Sequence, residues 1–274
     1  MLSKIGKTSP VAAIAVAWPI LLLLVGFWLP IGIWIVKYGS APRTISVFCS
    51  GLFLHALLTT ALIATATTVS SLVLAYPIAL LWWNSNRTVA NWLTRILFLP
   101  LIVGLLARNY AWIGLLTGQD MVSSFGLVVI KAEQSLYTWR AVIIVMTYIF
   151  IPIAFFVLVY ALSTISRFEI EAARTLGSTD REVLTKIVLP HTLRQSVIGA
   201  FLIFANALGY FVTPHMLGGG NFDMLGNLIW NNLIKLGLFD EASALALSLI
   251  IVLIPFYLIA FFLIIRSRQK VLGR

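Results

Sequence analysis

The sequence predicts an all-α integral membrane protein with six transmembrane helices in a single domain spanning 1–274, and three observations lead there. Hydrophobic residues make up 61% of the 274-residue chain and charged residues 10%, against roughly 25% charged in a soluble domain. Apolar runs at about 11–36, 52–82, 93–115, 139–163, 195–216 and 242–265 each reach the ~20 residues that a spanning helix needs. Six spans put both termini on one side, and the basic residues say which. With cytoplasmic ends, 13 of the 19 Lys and Arg residues fall inside: Lys4, Lys7, Arg87, Arg95, Arg167, Arg174, Arg181, Lys186, Arg194, Arg266, Arg268, Lys270 and Arg274. Lys37, Arg43, Arg108, Lys131, Arg140 and Lys235 fall elsewhere. This positive-inside bias orients the chain and accounts for its net charge of +10 without a nucleic-acid partner.

In chain order, Lys4 and Lys7 precede the first apolar run and Gly39, Ser40 and Ala41 follow it, the outline of a secretory signal. At about 26 residues the run exceeds the roughly 7–15 of a signal core. An uncleaved first span is therefore expected, bent near Pro19 or Pro30. Gly6-Lys7-Thr8 looks like the end of a phosphate-binding loop, but Met1 stands where the first glycine is required. The second span is rich in Thr59, Thr60, Thr65, Thr67, Thr68, Ser70 and Ser71. Such hydroxyls bond back to their own helix or across to a neighbour, and helix packing outweighs solute contact as their reason. Trp82, Trp83, Arg87, Trp92 and Arg95 mark an interfacial turn on the cytoplasmic side, where the sequon Asn86-Arg87-Thr88 has no meaning.

The third span holds Pro100 and then Arg108-Asn109-Tyr110-Ala111-Trp112. A charge at that depth is unfavourable in lipid, so Arg108 either faces a bundle interior or aqueous cavity, or snorkels to the outer interface. Residues 118–138 read as an outer loop of mixed polarity, solvated by default. In the fourth span Tyr148 and Pro152 sit within an apolar helix that the proline bends, and packing is a sufficient reason for either.

Between the fourth and fifth spans lies a charged stretch, SRFEIEAARTLGSTDREVLTKIVLP, from Ser166 to Pro190. Ser166-x-x-Glu169 and Thr179-x-x-Glu182 are capping boxes, so two short helices are expected. One closes at Gly177 in the left-handed conformation, and the other runs to about Val188 before Pro190 stops it. Phe168, Ala172 and Leu176 recur at i, i+4 and i+8 as a narrow apolar stripe with Ala173 beside it, while Glu169, Glu171 and Arg174 fall elsewhere. A helix with one face to bury and one to show reads as a docking surface. The pattern Glu171-Ala172-Ala173-x3-Gly177-x9-Ile187-x-Leu189-Pro190 resembles, in residue types and spacing, the EAA loop of permease subunits of bacterial ATP-binding-cassette (ABC) importers. In that family this short helix is the coupling helix, seated in a groove of a cytoplasmic ATPase. The resemblance implies a type I ABC importer permease fold in which Phe168, Glu171, Ala172, Ala173, Arg174 and Gly177 meet the ATPase.

The fifth span carries Asn206, Gly209, Tyr210 and Thr213 at i, i+3, i+4 and i+7, one polar and small face that lines either a pore or a helix interface. Residues 213–220 end it with a flexible turn, 221–241 form an outer re-entrant or surface segment, and Arg266, Arg268 and Lys270 anchor the last span. Arg108-x-Tyr110-x-Trp112, Tyr148-x-x-x-Pro152, Phe211-Val212-Thr213-Pro214, Leu217-Gly218-Gly219 and Gly226-Asn227-Leu228-Ile229 are similar to spermidine/putrescine-type importers, and to their first permease in particular. With the fifth-span face, this makes Arg108, Tyr110, Trp112, Tyr148, Asn206 and Tyr210 the substrate-pathway candidates.

The resemblance further implies two cytoplasmic ABC ATPases, a second permease, a periplasmic solute-binding protein and a place in the bacterial inner membrane. ATP and Mg would be bound by the ATPases, with no cofactor in this chain. A membrane enzyme is disfavoured: His55, His191 and His215 are far apart in sequence, no metal or nucleophile motif accompanies them, and Cys49 is the single cysteine. The main rival is a secondary transporter driven by an ion gradient, which would place carboxylates in mid-membrane. All nine acidic residues fall in expected loops or at helix ends. Arg108 would repel a polyamine if it lined the path, which leaves amino-acid-, opine- or phosphonate-like solutes open beside polyamines.

Overall fold

The computed structural model describes residues 10–117, 136–220 and 224–272, and the described residues form helices joined by short turns. Gly6-Lys7-Thr8 and most of the expected 118–138 loop lie outside them. The helices are α1 (Pro10–Tyr38), α2 (Ala41–Phe48), α3 (Gly51–Asn84), α4 (Arg87–Ile102), α5 (Leu105–Thr117) and α6 (Trp139–Ser163). They are followed by α7 (Arg167–Thr175), α8 (Asp180–Val183), α9 (Leu189–Leu208), α10 (Val212–Gly218), α11 (Leu225–Trp230) and α12 (Phe239–Leu272). Wider π turns join α8 to α9 over Leu184–Val188 and extend α11 over Asn231–Lys235.

Among the described residues α3, α6 and the Phe239–Ile259 part of α12 are each long and apolar enough to cross a membrane unbroken, and the bent pairs Arg87–Ile102 with Leu105–Thr117 and Asp180–Leu193 with Gln195–Leu208 bring the total to five. The first expected span is helical throughout as α1, with Pro19 and Pro30 inside it. Side-chain caps start several of these helices. Ser50 accepts from Phe53 N at 3.2 Å, Asn86 from Val89 N at 3.0 Å and Thr138 from Ala141 N at 3.3 Å, each satisfying a first-turn donor that the helix itself cannot.

The bundle is centred on α3 and α6, with α9 against both. Apolar side chains gain little by leaving lipid for a lipid-like interior, so helices in a membrane associate by close packing of small residues. The buried face of α3 follows that rule: Ala56, Thr60, Ala64, Thr67, Thr68, Ser71, Ala75 and Ala79 are all buried. Opposite them, α6 buries Ala141, Ala154 and Ala161 among Met146, Phe155 and Leu158. Gly199 of α9 lies against α6 so tightly that a Cβ there would collide with Val157. Four hydroxyls of α3 bond back to their own helix: Thr59, Thr60, Thr65 and Thr68 each donate to the carbonyl four residues back.

Four expectations need correction. The third span is not one helix but α4 and α5, meeting at a 97° bend between Ile102 and Leu105; Pro100 and Gly104 flank the break, and neither supports a helix through it. The fifth span starts at Leu189 and ends at Leu208, so the face drawn through Asn206 and Thr213 is split between α9 and α10 and does not exist as one stripe. Pro190 does not stop a helix. The π turn ahead of it moves the hydrogen-bond register by one residue, with Leu189 N donating to Leu184 O, and the proline falls in the first turn of α9, where its missing N–H is not needed. The Ser166 box is not formed, because its hydroxyl makes no cap bond and the first turn of this exposed helix is left to water.

Candidate coupling loop and pathway

The stretch from Ser166 to Pro190 folds as α7, a glycine corner and α8. Gly177 has φ +86, a left-handed conformation that closes α7, and Ser178 N donates to Ala173 O at 3.0 Å across it. The second capping box is complete: Thr179 Oγ1 accepts from Glu182 N at 3.3 Å, and Glu182 accepts from Thr179 N at 3.0 Å. Lys186 Nζ, 2.8 Å from the same carboxylate, and the Thr179 N–H and hydroxyl hold the Glu182 carboxyl down at about 2 from its ordinary 4.5. Arg174 and Asp180 form an ion pair at 2.8 Å across the corner.

The two faces of α7 differ. Ile170 is buried and Ala173 packs against the main core, which seats the helix on the bundle. Phe168 is 78% and Leu176 86% exposed, and Glu171 is exposed beside them. Two large apolar side chains exposed on one face of a short charged helix are an uncommon arrangement unless a partner covers them. Behind it a cleft of about 460 Å³ separates the end of α3 from the loop, lined by Leu80, Trp83, Ile170, Arg174, Val183 and Val188. Thr164, His191 and Gln195 tie the end of α6 to the start of α9, with Thr164 Oγ1 3.0 Å from His191 Nε2 and 2.9 Å from Gln195 Nε2.

Further along the bundle, the two broken helices α4/α5 and α9/α10 come together. Arg108 is half-buried: its guanidinium turns back across the α4/α5 break, where Nη1 donates to Pro100 O at 3.0 Å, and its Nε is buried with no partner among the described residues. The cation thus caps the negative end of α4, whose last carbonyls the break orphans. Trp112, one turn beyond Arg108, packs edge-on against Tyr148 of α6 with ring centroids 5.5 Å apart. Tyr210, at the α9/α10 break, packs on Phe150 at 5.6 Å and lies within electrostatic reach of Arg108. Four of the six pathway candidates therefore belong to this region. Tyr110 and Asn206 do not join them. Tyr110 is 64% exposed on the opposite side of α5, and Asn206 is exposed on α9 with its amide donated to Leu202 O.

Two residues missing from the candidate set hold the region together. Asn109 and Thr213 are both fully buried, and Thr213 Oγ1 donates to Asn109 Oδ1 at 2.7 Å, pinning α5 to α10 across 104 residues of sequence. Thr60 plays a similar part, accepting from Leu225 N at 2.9 Å and so satisfying the first turn of the buried helix α11.

Residues 71–272 match the family described as binding-protein-dependent transport system inner membrane component. The chain belongs to this family. It is 27% identical over 205 residues to the spermidine/putrescine transport system permease protein PotB of Salmonella typhimurium strain SL1344, covering 74% of this chain and 71% of that one. It is 24% identical over 225 residues to the inner membrane ABC transporter permease protein YdcU of Escherichia coli K12, covering 76% and 69%. Its fold matches a chain of the bacterial alginate ABC transporter crystallised with an alginate-pentasaccharide-bound periplasmic protein, at TM-score 0.68 and 15% identity over 91% of this chain and 92% of that one. It also matches a chain of the MetNI methionine ABC transporter in an inward-facing conformation, at TM-score 0.59 and 19% identity over 84% and 98%. The chain is a multi-pass permease subunit of an ABC importer, which works with ATPase and solute-binding partners.

Proposed function

We propose that this chain is the first of two different permeases in an importer for polyamines or related small amines, with both termini in the cytoplasm and six membrane crossings. The exposure of Phe168 and Leu176 on the rigid helix α7 carries this reading, because an apolar face of that kind needs a partner outside the chain. The partner is a cytoplasmic ATPase, one under each permease, that binds ATP and Mg and moves the loop as a lever. Phe168, Ala172 and Leu176 provide the apolar contact, Glu171 and Arg174 the charged rim, and Gly177 the corner that fixes the angle of α7. ATP closes the ATPase pair, the two loops follow, and the permeases switch access between two states. The similarity to PotB supports the polyamine assignment, and the region of Arg108, Trp112, Tyr148 and Tyr210 supports a route past the broken helices. The Arg108 charge is turned onto the Pro100 carbonyl, which softens the repulsion that a cationic solute would meet.

The test is purification of the tagged chain from its native membrane in mild detergent. Recovery of an ATPase with a phosphate-binding loop and of a second, different permease is expected. Recovery of this chain alone or only with copies of itself, still transporting without ATP, would overturn the proposal.

A further inference from the structure

The buried stretch α11 and its π turn hold two side chains with unmet bonding capacity. Asn227 and Asn231 stand at i and i+4, one above the other on a single face. Asn227 is 4% exposed, and the Oδ1 atoms of both are buried with no hydrogen-bond partner among the described residues. Another buried helical asparagine behaves differently: the Oδ1 of Asn109 accepts from Thr213 Oγ1 at 2.7 Å. Thr67 and Thr147 also carry buried unpartnered oxygens. Those are hydroxyls, which can rotate onto a carbonyl of their own helix as Thr60 and Thr68 do. An amide oxygen only accepts, and the N–H groups of its helix are already engaged, so its donor has to come from elsewhere. Leaving such a group unpaired is unfavourable, and two together on one face call for an explanation.

Their position supplies one. Leu225 and Leu228 pack with Phe53, Ala56, Leu245 and Leu249, which fixes the other side of α11. At about 100° per residue Asn227 lies roughly 200° around the helix from Leu225 and 100° from Leu228, while Asn231, three residues after Leu228, stands about 60° from it at the edge of that cluster. The residue before each asparagine touches the α9/α10 break. A Cβ on Gly226 would stand 3.0 Å from Phe211 Cβ, and Trp230 stacks on Phe211 at 5.1 Å and meets His215 at 5.7 Å. The asparagines thus adjoin the region assigned above to solute passage. Asn231 also opens a π turn, a local widening that recurs at functional sites.

We infer that Asn227 and Asn231 form a solute-binding site in the permeation route, where their amide oxygens accept hydrogen bonds from the N–H groups of a solute bearing primary amines. The inference rests on the importer reading above. Amide dipoles hold an ammonium group without the deep well that a buried carboxylate would make, and a route must release what it binds.

The experiment uses the complete complex in proteoliposomes with its binding protein, measuring uptake of radiolabelled spermidine and the ATP hydrolysis that loaded binding protein stimulates. With Asn227→Leu and Asn231→Leu together, uptake is expected to fall about tenfold or more, the size of a lost charge-assisted bond, while stimulated hydrolysis stays near wild type. Asn227→Asp keeps the shape and adds negative charge; at pH 8 it is expected to lower the half-saturating spermidine concentration below that of wild type. Unchanged uptake in the leucine pair, or an aspartate variant that weakens spermidine as leucine does, would overturn the site alone. A wild-type complex that takes up no spermidine would overturn the polyamine reading and the site with it.

Discussion

Replacing Phe168 by Ala removes the largest apolar group on the outward face of α7, and the expected effect can be sized. The residue is 78% exposed, and an aromatic side chain offers roughly 150–250 Å² for burial. Covering it on a partner would take on the order of 120–190 Å² out of water, about 3–5 kcal/mol at ~25 cal/mol per Å². Ordering of the interface offsets part of this, which leaves a loss of about 2–4 kcal/mol, the range of an aromatic anchor in an interface. The affinity of the permease for its ATPase should then drop about 30-fold to several hundredfold. Titrating purified ATPase onto the permease in lipid nanodiscs measures that drop directly. Because Phe168 is exposed in the free subunit, thermal unfolding of the bundle should shift by no more than ~0.5 kcal/mol. Wild-type affinity in both Phe168→Ala and Leu176→Ala would refute the assignment of this face to the ATPase.

Three further outcomes are expected. Glu171→Lys reverses a charge on the exposed rim of α7 and should let ATP hydrolysis continue while uptake is lost, with melting temperature unchanged; both rates are read in the same proteoliposomes. Asn109→Leu and Thr213→Val each orphan one partner of a fully buried bond and should each cost about 1–3 kcal/mol in detergent unfolding, whereas the double variant should cost less than the sum. The Glu182 carboxyl should titrate at about 2 rather than 4.5. Its folded value is the depressed one, so its contribution to the loop is complete above the unfolded value and is lost as pH falls from 4.5 through about 2. Carboxyl-carbon NMR of labelled protein follows this, and a midpoint near 4.5 would contradict the capping box.

Much of the Ser166–Pro190 loop was legible in the sequence because its signals are local. Thr179 and Glu182 sit three residues apart and bond each other, Gly177 turns where a left-handed residue is needed, and the spacing of Phe168 and Leu176 puts them on one face, whose exposure only the structure gives. Ser166 misled because a cap signature states what a hydroxyl can do, while a solvated first turn has water to compete with it. The pathway was harder to read. Hydropathy does not register a break when both halves are equally apolar, so α4 and α5 looked like one span, and helical periodicity counted through Gly209 to Phe211 joined residues that share no face. What permits a 97° bend inside an apolar bundle is the satisfaction of its freed carbonyls, and the donor at Pro100, Arg108, lies eight residues on and past the turn. The Asn109–Thr213 bond spans 104 residues and has no local signature at all. Asn227 was legible only as part of a family-like string, since an unpaired amide is a property of its surroundings.

The account stands or falls on what the exposed face of α7 touches in the assembled transporter. A photoreactive amino acid placed at Phe168, with the same group at the exposed Ile45 of α2 as the control, would read this in native membranes. The account predicts a cross-linked adduct between this chain and the ATPase from position 168 and none from position 45. No ATPase adduct at 168, or equal adducts from both positions, would contradict it.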